Sequence, residues 1–238
     1  PLNRRDADLA SSGAAAAMLQ RLQPDAVINA AAWTAVDKAE TESGGARRIN
    51  AFAVGEIANA CKEIGARLVH ISTDYVFSGG LAPAPLDENA PTGPINAYGA
   101  TKLQGEELAR DANPETVILR TSWVYSAHGA NFVKTMLRLS ETKPELNVVA
   151  DQIGGPTPAS AIAAACLTFA VNRKGPSGLY HFQGAPAASW SDFATAIFAA
   201  GGRGTKVNAI PTSEYPTPAK RPLFTVLNCS KIRRDYGL

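Results

Sequence analysis

The sequence predicts an α/β fold, a doubly wound parallel sheet with a smaller, interleaved second domain in its C-terminal part. Three observations carry this reading. Short strand-like runs alternate with helix-period runs from residue 25 to residue 121, the rhythm of parallel β-α-β units. The run Val117-Ile118-Leu119 is apolar throughout, as a strand covered on both faces should be. Polar and aromatic residues gather after three of the strands, at residues 29–34, 72–75 and 121–125, and such sheets bind ligands beyond the carboxyl ends of their strands.

Taken in order, residues 14–22 form an alanine-rich helix that Ser11 or Ser12 can cap and that ends before Pro24. Residues 25–30 form a short buried strand that runs into Ala31-Ala32-Trp33-Thr34. Small side chains there either admit a flat ligand close to the backbone or pack against a helix. In residues 47–64, Ile49, Phe52, Ala53, Ile57, Ala60, Cys61 and Ile64 recur at three- and four-residue steps, giving one apolar stripe stopped by Gly65. A strand over 67–72 flows into Thr73-Asp74-Tyr75-Val76-Phe77. A proline-rich loop over 79–96 leads to a helix over 98–112, and a strand over 116–121 follows. Helix 131–141, strand 146–150 and helix 159–171 continue the pattern. The rhythm then loosens into a short strand over 179–183 and a helix opened by the capping-box spacing of Ser189-Trp190-Ser191-Asp192. A strand over 207–210 and an irregular segment over 211–222, suited to fold over a ligand, complete the series.

Composition narrows the function classes. The 238 residues suffice for one large domain or two small ones sharing a core, and 45% hydrophobic with 18% charged residues is ordinary for a globular protein. A net charge of +2 gives no reason to expect nucleic acid or a membrane surface as partner. The longest apolar run, over 161–171, is too short to span a bilayer. Cys61, Cys166 and Cys229 are widely spaced and read as reduced thiols of a cytoplasmic protein, and no metal-ligand spacing stands in the sequence.

Tyr98-Gly99-Ala100-Thr101-Lys102 is the stretch with the clearest chemistry. Four residues apart on a helix, the phenol and the ammonium lie one turn above the other. A cation beside a phenol favours its ionised form and brings it closer to acid-base work near neutrality. The same spacing arises by chance in many helices, so its neighbours decide its weight.

Those neighbours resemble the extended short-chain dehydrogenase/reductase family, in its dTDP-4-dehydrorhamnose reductase branch. The resembling stretches are residues 24–32, residues 34–40, Ser72-Thr73-Asp74-Tyr75-Val76-Phe77, the Tyr98–Lys102 pair and Arg120-Thr121-Ser122-Trp123-Val124-Tyr125. Asn131-Phe132, residues 134–137, Asp151-Gln152 and Gly155-Pro156-Thr157 extend the likeness over most of the chain. The resemblance implies a Rossmann-type dinucleotide-binding domain over 1–125 and a mainly sugar-nucleotide-binding domain over 126–238, with 146–172 returning to the Rossmann core. It implies reduction of the C4 ketone of dTDP-4-dehydro-L-rhamnose by NADPH or NADH, a step supplying cell-surface polysaccharide. Tyr98 would donate the proton, Lys102 would lower the pKa of Tyr98 and bind the nicotinamide ribose, and Thr73 would hold the carbonyl oxygen.

By the same resemblance Asp8, Leu9, Ala31, Ala32, Trp33, Thr34 and Ser72 would line the cofactor cleft, with Asp8-Leu9 near its adenine end. Asp74, Tyr75 and Trp123 would meet the sugar. Asn131 would either contact the diphosphate or cap its helix, and Arg221 would either clamp a phosphate or form a surface charge pair. A homodimer and a structural magnesium are compatible with the likeness. Family members begin with a strand and a Gly-rich turn that cradles the pyrophosphate. No such turn stands near residue 1, so the first β-α-β unit is expected to be missing, and the end at Leu238 looks early. A sugar-nucleotide epimerase or dehydratase, or a regulatory subunit like that of methionine adenosyltransferase, fits the same motifs. Outside them, His70 reads as a packed core histidine, Asp37, Lys38 and Glu40 as a solvated helix face or a local salt bridge, and Lys231, Arg233 and Arg234 as a solvated basic stripe.

Overall fold

The computed structural model describes residues 2–80 and 84–238. Its elements run α1 (Ala14–Leu22), β1 (Ala26–Asn29), α2 (Val36–Thr41), α3 (Ser43–Arg47), a π-helical turn (Arg48–Phe52), α4 (Ala53–Ile64) and β2 (Arg67–Thr73). α5 (Ala97–Ala112), β3 (Val117–Thr121), β4 (Val124–Tyr125), α6 (Phe132–Leu139), β5 (Glu145–Val149), β6 (Ile153–Gly154), β7 (Thr157–Pro158) and α7 (Ala159–Val171) follow. β8 (Gly178–His181), β9 (Ala188–Ser189), α8 (Trp190–Ala200), β10 (Lys206–Ile210) and α9 (Ser230–Tyr236) complete the chain.

A four-stranded parallel sheet in the order β1-β2-β3-β8 forms the frame. β3 is buried along its whole length, and helices cover both faces. On one face Leu68 packs with Val54, Ile57, Cys61 and Leu19 of α4 and α1. On the other, Val69, Val117, Leu119 and Tyr180 pack with Ile162, Cys166 and Phe169 of α7 and Ile232 of α9. β1 departs from expectation: it lies at the sheet edge and leaves Ile28 37% exposed, where the sequence reads as a buried strand.

A second core forms around Met136, Val148, Ala194, Ile197 and Phe198, between α6, α8 and a separate parallel pair, β5 with β10. Of residues 146–172, α7 therefore packs on the large sheet, whereas β5 pairs with β10. β8, from the C-terminal half of the chain, joins the large sheet beside β3.

Two local expectations are corrected. Neither Ser11 nor Ser12 caps α1; Gly13 occupies that position, its N–H and the Ser12 hydroxyl both donating to Glu56 of α4. The helix expected over 47–64 is present but widens into a π-helical turn over Arg48–Phe52, and Phe52 is 45% exposed, off the apolar stripe. The capping box at Ser189 is present, Ser189 and Asp192 each satisfying the other's backbone N–H.

Candidate active site

The carboxyl ends of β1, β2 and β3 open onto a cleft of about 850 Å³. Ala32, Thr34, Ser72, Thr73, Asp74, Tyr75, Tyr98, Lys102 and Trp123 all line it, together with Trp190 and Phe132, to which the sequence reading gave no site role. A second cleft of about 1160 Å³ shares Ile28, Ala30, Ala32 and Thr34 with the first and extends to Asp8, Leu9 and Ala31. The Asp8 carboxylate sits below the usual range, chiefly because the Ala10 N–H donates to it, with Arg4 adding to the effect.

Helix α5 delivers Tyr98 and Lys102. Asn96 caps it by accepting from the Gly99 N–H, and its amide donates to the Lys220 carbonyl. Glu40 accepts from the Ala97 N–H, so α2 also closes the end of α5. Two glycines set the depth of docking. A Cβ at Gly99 would stand 2.1 Å from the Tyr75 carbonyl oxygen, and one at Gly105 would stand 2.0 Å from that of Asn50 in the π-helical turn. The first contact brings Tyr98 edge-on to Tyr75, with ring centroids 5.7 Å apart.

The Thr73 hydroxyl donates to Asp74 Oδ1 at 3.1 Å and accepts from the Tyr75 N–H. Asp74 is buried and also accepts from the Thr225 hydroxyl at 2.6 Å. Burial raises its pKa to about 6, with the Thr225 and Thr73 hydroxyls pulling the other way. Burial also raises Tyr98, to about 12, against the Thr73 hydroxyl, while the charge of Asp74 adds to the rise. Lys102 is not among the groups that shift Tyr98 here. Lys102 is 2% exposed and donates to the Ile71 carbonyl at 2.7 Å, with His70 Nε2 at 3.4 Å. Burial lowers its pKa to about 8, partly offset by Glu106 one turn further along α5.

Beneath this group lies a buried ion pair of which the sequence motifs mark Arg120 but not Glu106. Glu106 accepts from Arg120 Nε and Nη2 at 2.9 and 2.7 Å and from the Ser72 hydroxyl at 2.5 Å. His70 is buried, as expected of a core histidine, yet it touches both Lys102 and Asn29.

Three expected site residues have other partners. Trp33 turns away from the cleft, its indole donating to the Ala35 carbonyl and lying 3.3 Å from the position of a Cβ on Gly45. Asn50 pins its backbone by bonding both the N–H and the carbonyl of Trp33, and also reaches Thr101 of α5. Asn131 caps α6 through the Lys134 N–H and donates to the Ser126 carbonyl, which is the capping role of its two readings. Arg221 pairs with Asp37 at 2.9 Å, and Asp37 also accepts from the Ala219 N–H, so residues 219–221 are strapped to α2. Lys231 is half-buried and engaged: it donates to the Leu179 carbonyl and lies over the Tyr180 ring.

Trp123 has φ of 47°, a left-handed conformation uncommon for a bulky residue. Its ring stacks on Trp190 with centroids 3.5 Å apart and planes within 5°. Phe132 and Phe193 close around this pair as an aromatic wall.

Among known proteins, the model of the RmlD substrate binding domain matches residues 1–238. The dTDP-4-dehydrorhamnose reductase of Sinorhizobium fredii is 45% identical over 246 residues, covering 100% of this chain and 83% of that protein. Its counterpart from Escherichia coli K12 is 42% identical, covering 97% and 80%. The crystal structure of a dTDP-4-dehydrorhamnose reductase from Clostridium acetobutylicum superposes with a TM-score of 0.94 at 40% identity, covering 98% of this chain and 82% of the other. That from Bacillus anthracis, in complex with NADP, gives a TM-score of 0.93 at 36% identity with the same coverage. A family model spanning every residue and relatives of this identity and coverage agree with the cleft built above: the chain belongs to the dTDP-4-dehydrorhamnose reductase family.

Proposed function

We propose that this chain reduces the C4 ketone of dTDP-4-dehydro-L-rhamnose to give dTDP-L-rhamnose, with NADPH as hydride donor. The observation that carries the reading is the meeting of Tyr98, Lys102 and Thr73 in one cleft at the carboxyl ends of β1–β3. Ala30 and Ala32 leave a low wall at the end of β1, and Ile28 and Ile71 make the same cleft apolar, which suits a flat nicotinamide ring. The bound cofactor supplies hydride to the ketone carbon. The relative from Bacillus anthracis is in complex with NADP, which makes NADPH the first donor to assay.

The chain's own residues do the rest. A ketone that gains hydride develops negative charge on oxygen, and a placed O–H donor stabilises that charge as it forms. Tyr98 gives the proton to this oxygen. Thr73 adds a second hydroxyl contact once it turns from Asp74. Lys102 returns a proton to the Tyr98 oxygen, a task suited to a pKa lowered to about 8. Trp123, stacked on Trp190, offers an apolar face to the sugar.

The test is NADPH oxidation with the keto-sugar nucleotide, followed by absorbance. Stoichiometric oxidation is expected, and in Tyr98→Phe the rate should fall by about 10²–10⁴-fold, the usual worth of a placed general acid. Full activity in Tyr98→Phe, or no net oxidation by the parent, would overturn the reading; turnover without net oxidation is the behaviour of an epimerase.

A further inference from the structure

His70 sits where β1, β2 and α5 meet, with one polar neighbour on each side. It is 0% exposed, and it is the register partner of Asn29 in the β1–β2 pair. The Asn29 carbonyl oxygen Oδ1 accepts from the Ala31 N–H at 3.3 Å. That bond fixes the amide, so the Nδ2 end faces the imidazole and donates to His70 Nδ1 at 3.2 Å. Burial and the charge of Lys102 hold His70 neutral. A neutral imidazole that accepts at Nδ1 carries its proton on Nε2. Nε2 lies 3.4 Å from Lys102 Nζ.

An N–H aimed at an ammonium is two donors face to face, whereas aimed at a neutral amine it is a hydrogen bond. We propose that Asn29 and His70 form a tautomer lock that stabilises the neutral amine of Lys102 and thereby lets Lys102 release a proton to Tyr98 in each turnover. The proposal rests on the reading of Tyr98 and Lys102 given above. The step balances. Tyr98 loses its proton to the substrate oxygen, the Lys102 ammonium gives one proton to the tyrosinate, and the lone pair left on Nζ accepts the His70 Nε2–H. A proton from water then restores the ammonium, which keeps the Ile71 carbonyl as its acceptor. His70 touches no reacting atom in this scheme and is a positioning residue.

The other groups around Lys102 do not duplicate this role. Glu106, on the same helix, favours the ammonium and is itself engaged by Arg120 and Ser72. Asp74, at the end of β2, acts on Tyr98 and Tyr75. Tyr98 is the proton's destination. Among the described residues around Lys102, only His70 presents a group that prefers the amine.

Two measurements on the full chain test the lock without relying on turnover. Long-range nitrogen–proton correlations on isotope-labelled histidine read the tautomer directly; the chain has 3 histidines, and His70→Gln identifies the signal. Protonation on Nε2 is expected, and protonation on Nδ1 overturns the proposal. The ε-carbon shift of Lys102, titrated in labelled protein, gives its midpoint. Loss of one hydrogen bond to the amine in His70→Phe should raise that midpoint by about one pH unit. Asn29→Asp accepts from Nδ1–H, reverses the tautomer and should raise it too, in case the Phe variant fails to fold. An unchanged midpoint in either folded variant overturns the lock. The expected tautomer and shifts in a chain that turns over no keto-sugar would sink the reductase reading and leave the lock standing.

Discussion

Asp74→Asn separates the electrostatics of the cleft from its shape. In the folded chain burial raises the Asp74 pKa to about 6 from 3.8, so between these values the folded state holds a proton that the unfolded state has released. Stability contributed by this group therefore falls as pH rises from about 4 to about 6. Above that window its full cost is carried, about 3 kcal/mol for a displacement of roughly two pH units. Asparagine abolishes the titration at the same size. Its oxygen can accept from the Thr225 hydroxyl and its amide can donate to the Thr73 oxygen, so neither hydroxyl need lose a partner. His70 and His181 titrate in the opposite sense. Burial lowers both, His181 to about 3, so each withdraws stability as pH falls below about 6.5. That slope is common to parent and variant and cancels in their difference. Urea unfolding of both at several pH values is the assay. The free-energy difference, variant minus parent, should climb by about 3 kcal/mol between about pH 4 and pH 7. A flat or falling difference would refute the assignment of a buried, charged Asp74 at neutral pH.

Two further outcomes follow from ion pairs of contrasting burial. Glu106→Gln leaves the Arg120 guanidinium buried without a counter-charge, which should cost about 3–5 kcal/mol and lower the melting midpoint by about 10 °C. A thermal scan showing a loss under about 3 °C would mean the pair compensates little. Asp37 and Arg221 are 43% and 17% exposed at their side chains. A double-mutant cycle with Asp37→Asn and Arg221→Met should give a coupling of only about 0.5–1 kcal/mol that shrinks in salt. A salt-independent coupling above about 2 kcal/mol would show the strap over α2 to be a buried element instead.

Where a residue's job is local, the sequence made it readable. The spacing of apolar residues in α4 and α7, the capping box at Ser189 and the uninterrupted run of β3 each report an environment set by near neighbours in the chain. Thr73, Tyr98 and Lys102 meet in one cleft because successive parallel strands deliver their carboxyl ends to the same side. Contacts between distant segments left no such trace. Arg221 stands in a proline-rich stretch beside Lys220, and nothing there announces Asp37, 184 residues away in sequence, as its partner. Trp33 follows two cleft alanines, yet its ring finds room over Gly45 on α3. The π-helical turn falls within a run whose apolar spacing is good, and its Asn50 side chain bonds Trp33 and Thr101, both distant in sequence. Glu106 belongs to no motif, since its neutralising partner comes from a strand 14 residues on.

The polar residues under the cleft make sense only together. Along β2, Leu68, His70 and Ser72 point to the face covered by α4 and α5, and only the first is apolar. The register sets Asn29 beside His70 and Arg120 beside Ser72. Lys102 and Glu106, one turn apart on α5, meet these two rows in the same order. Burying so many polar groups costs stability wherever pairing is incomplete, and Arg120 Nη1 has no partner among the described residues. An apolar seam between α5 and the sheet would hold as well, but it could slide. The paired rows give α5 one register against β2, and Gly99 and Gly105 let it seat closely in that register. Tyr98 stands on the first turn of this helix, and Thr73 ends the strand beneath it. Fixing α5 to β2 therefore fixes the phenol against the hydroxyl, the distance on which the proton delivery proposed above depends.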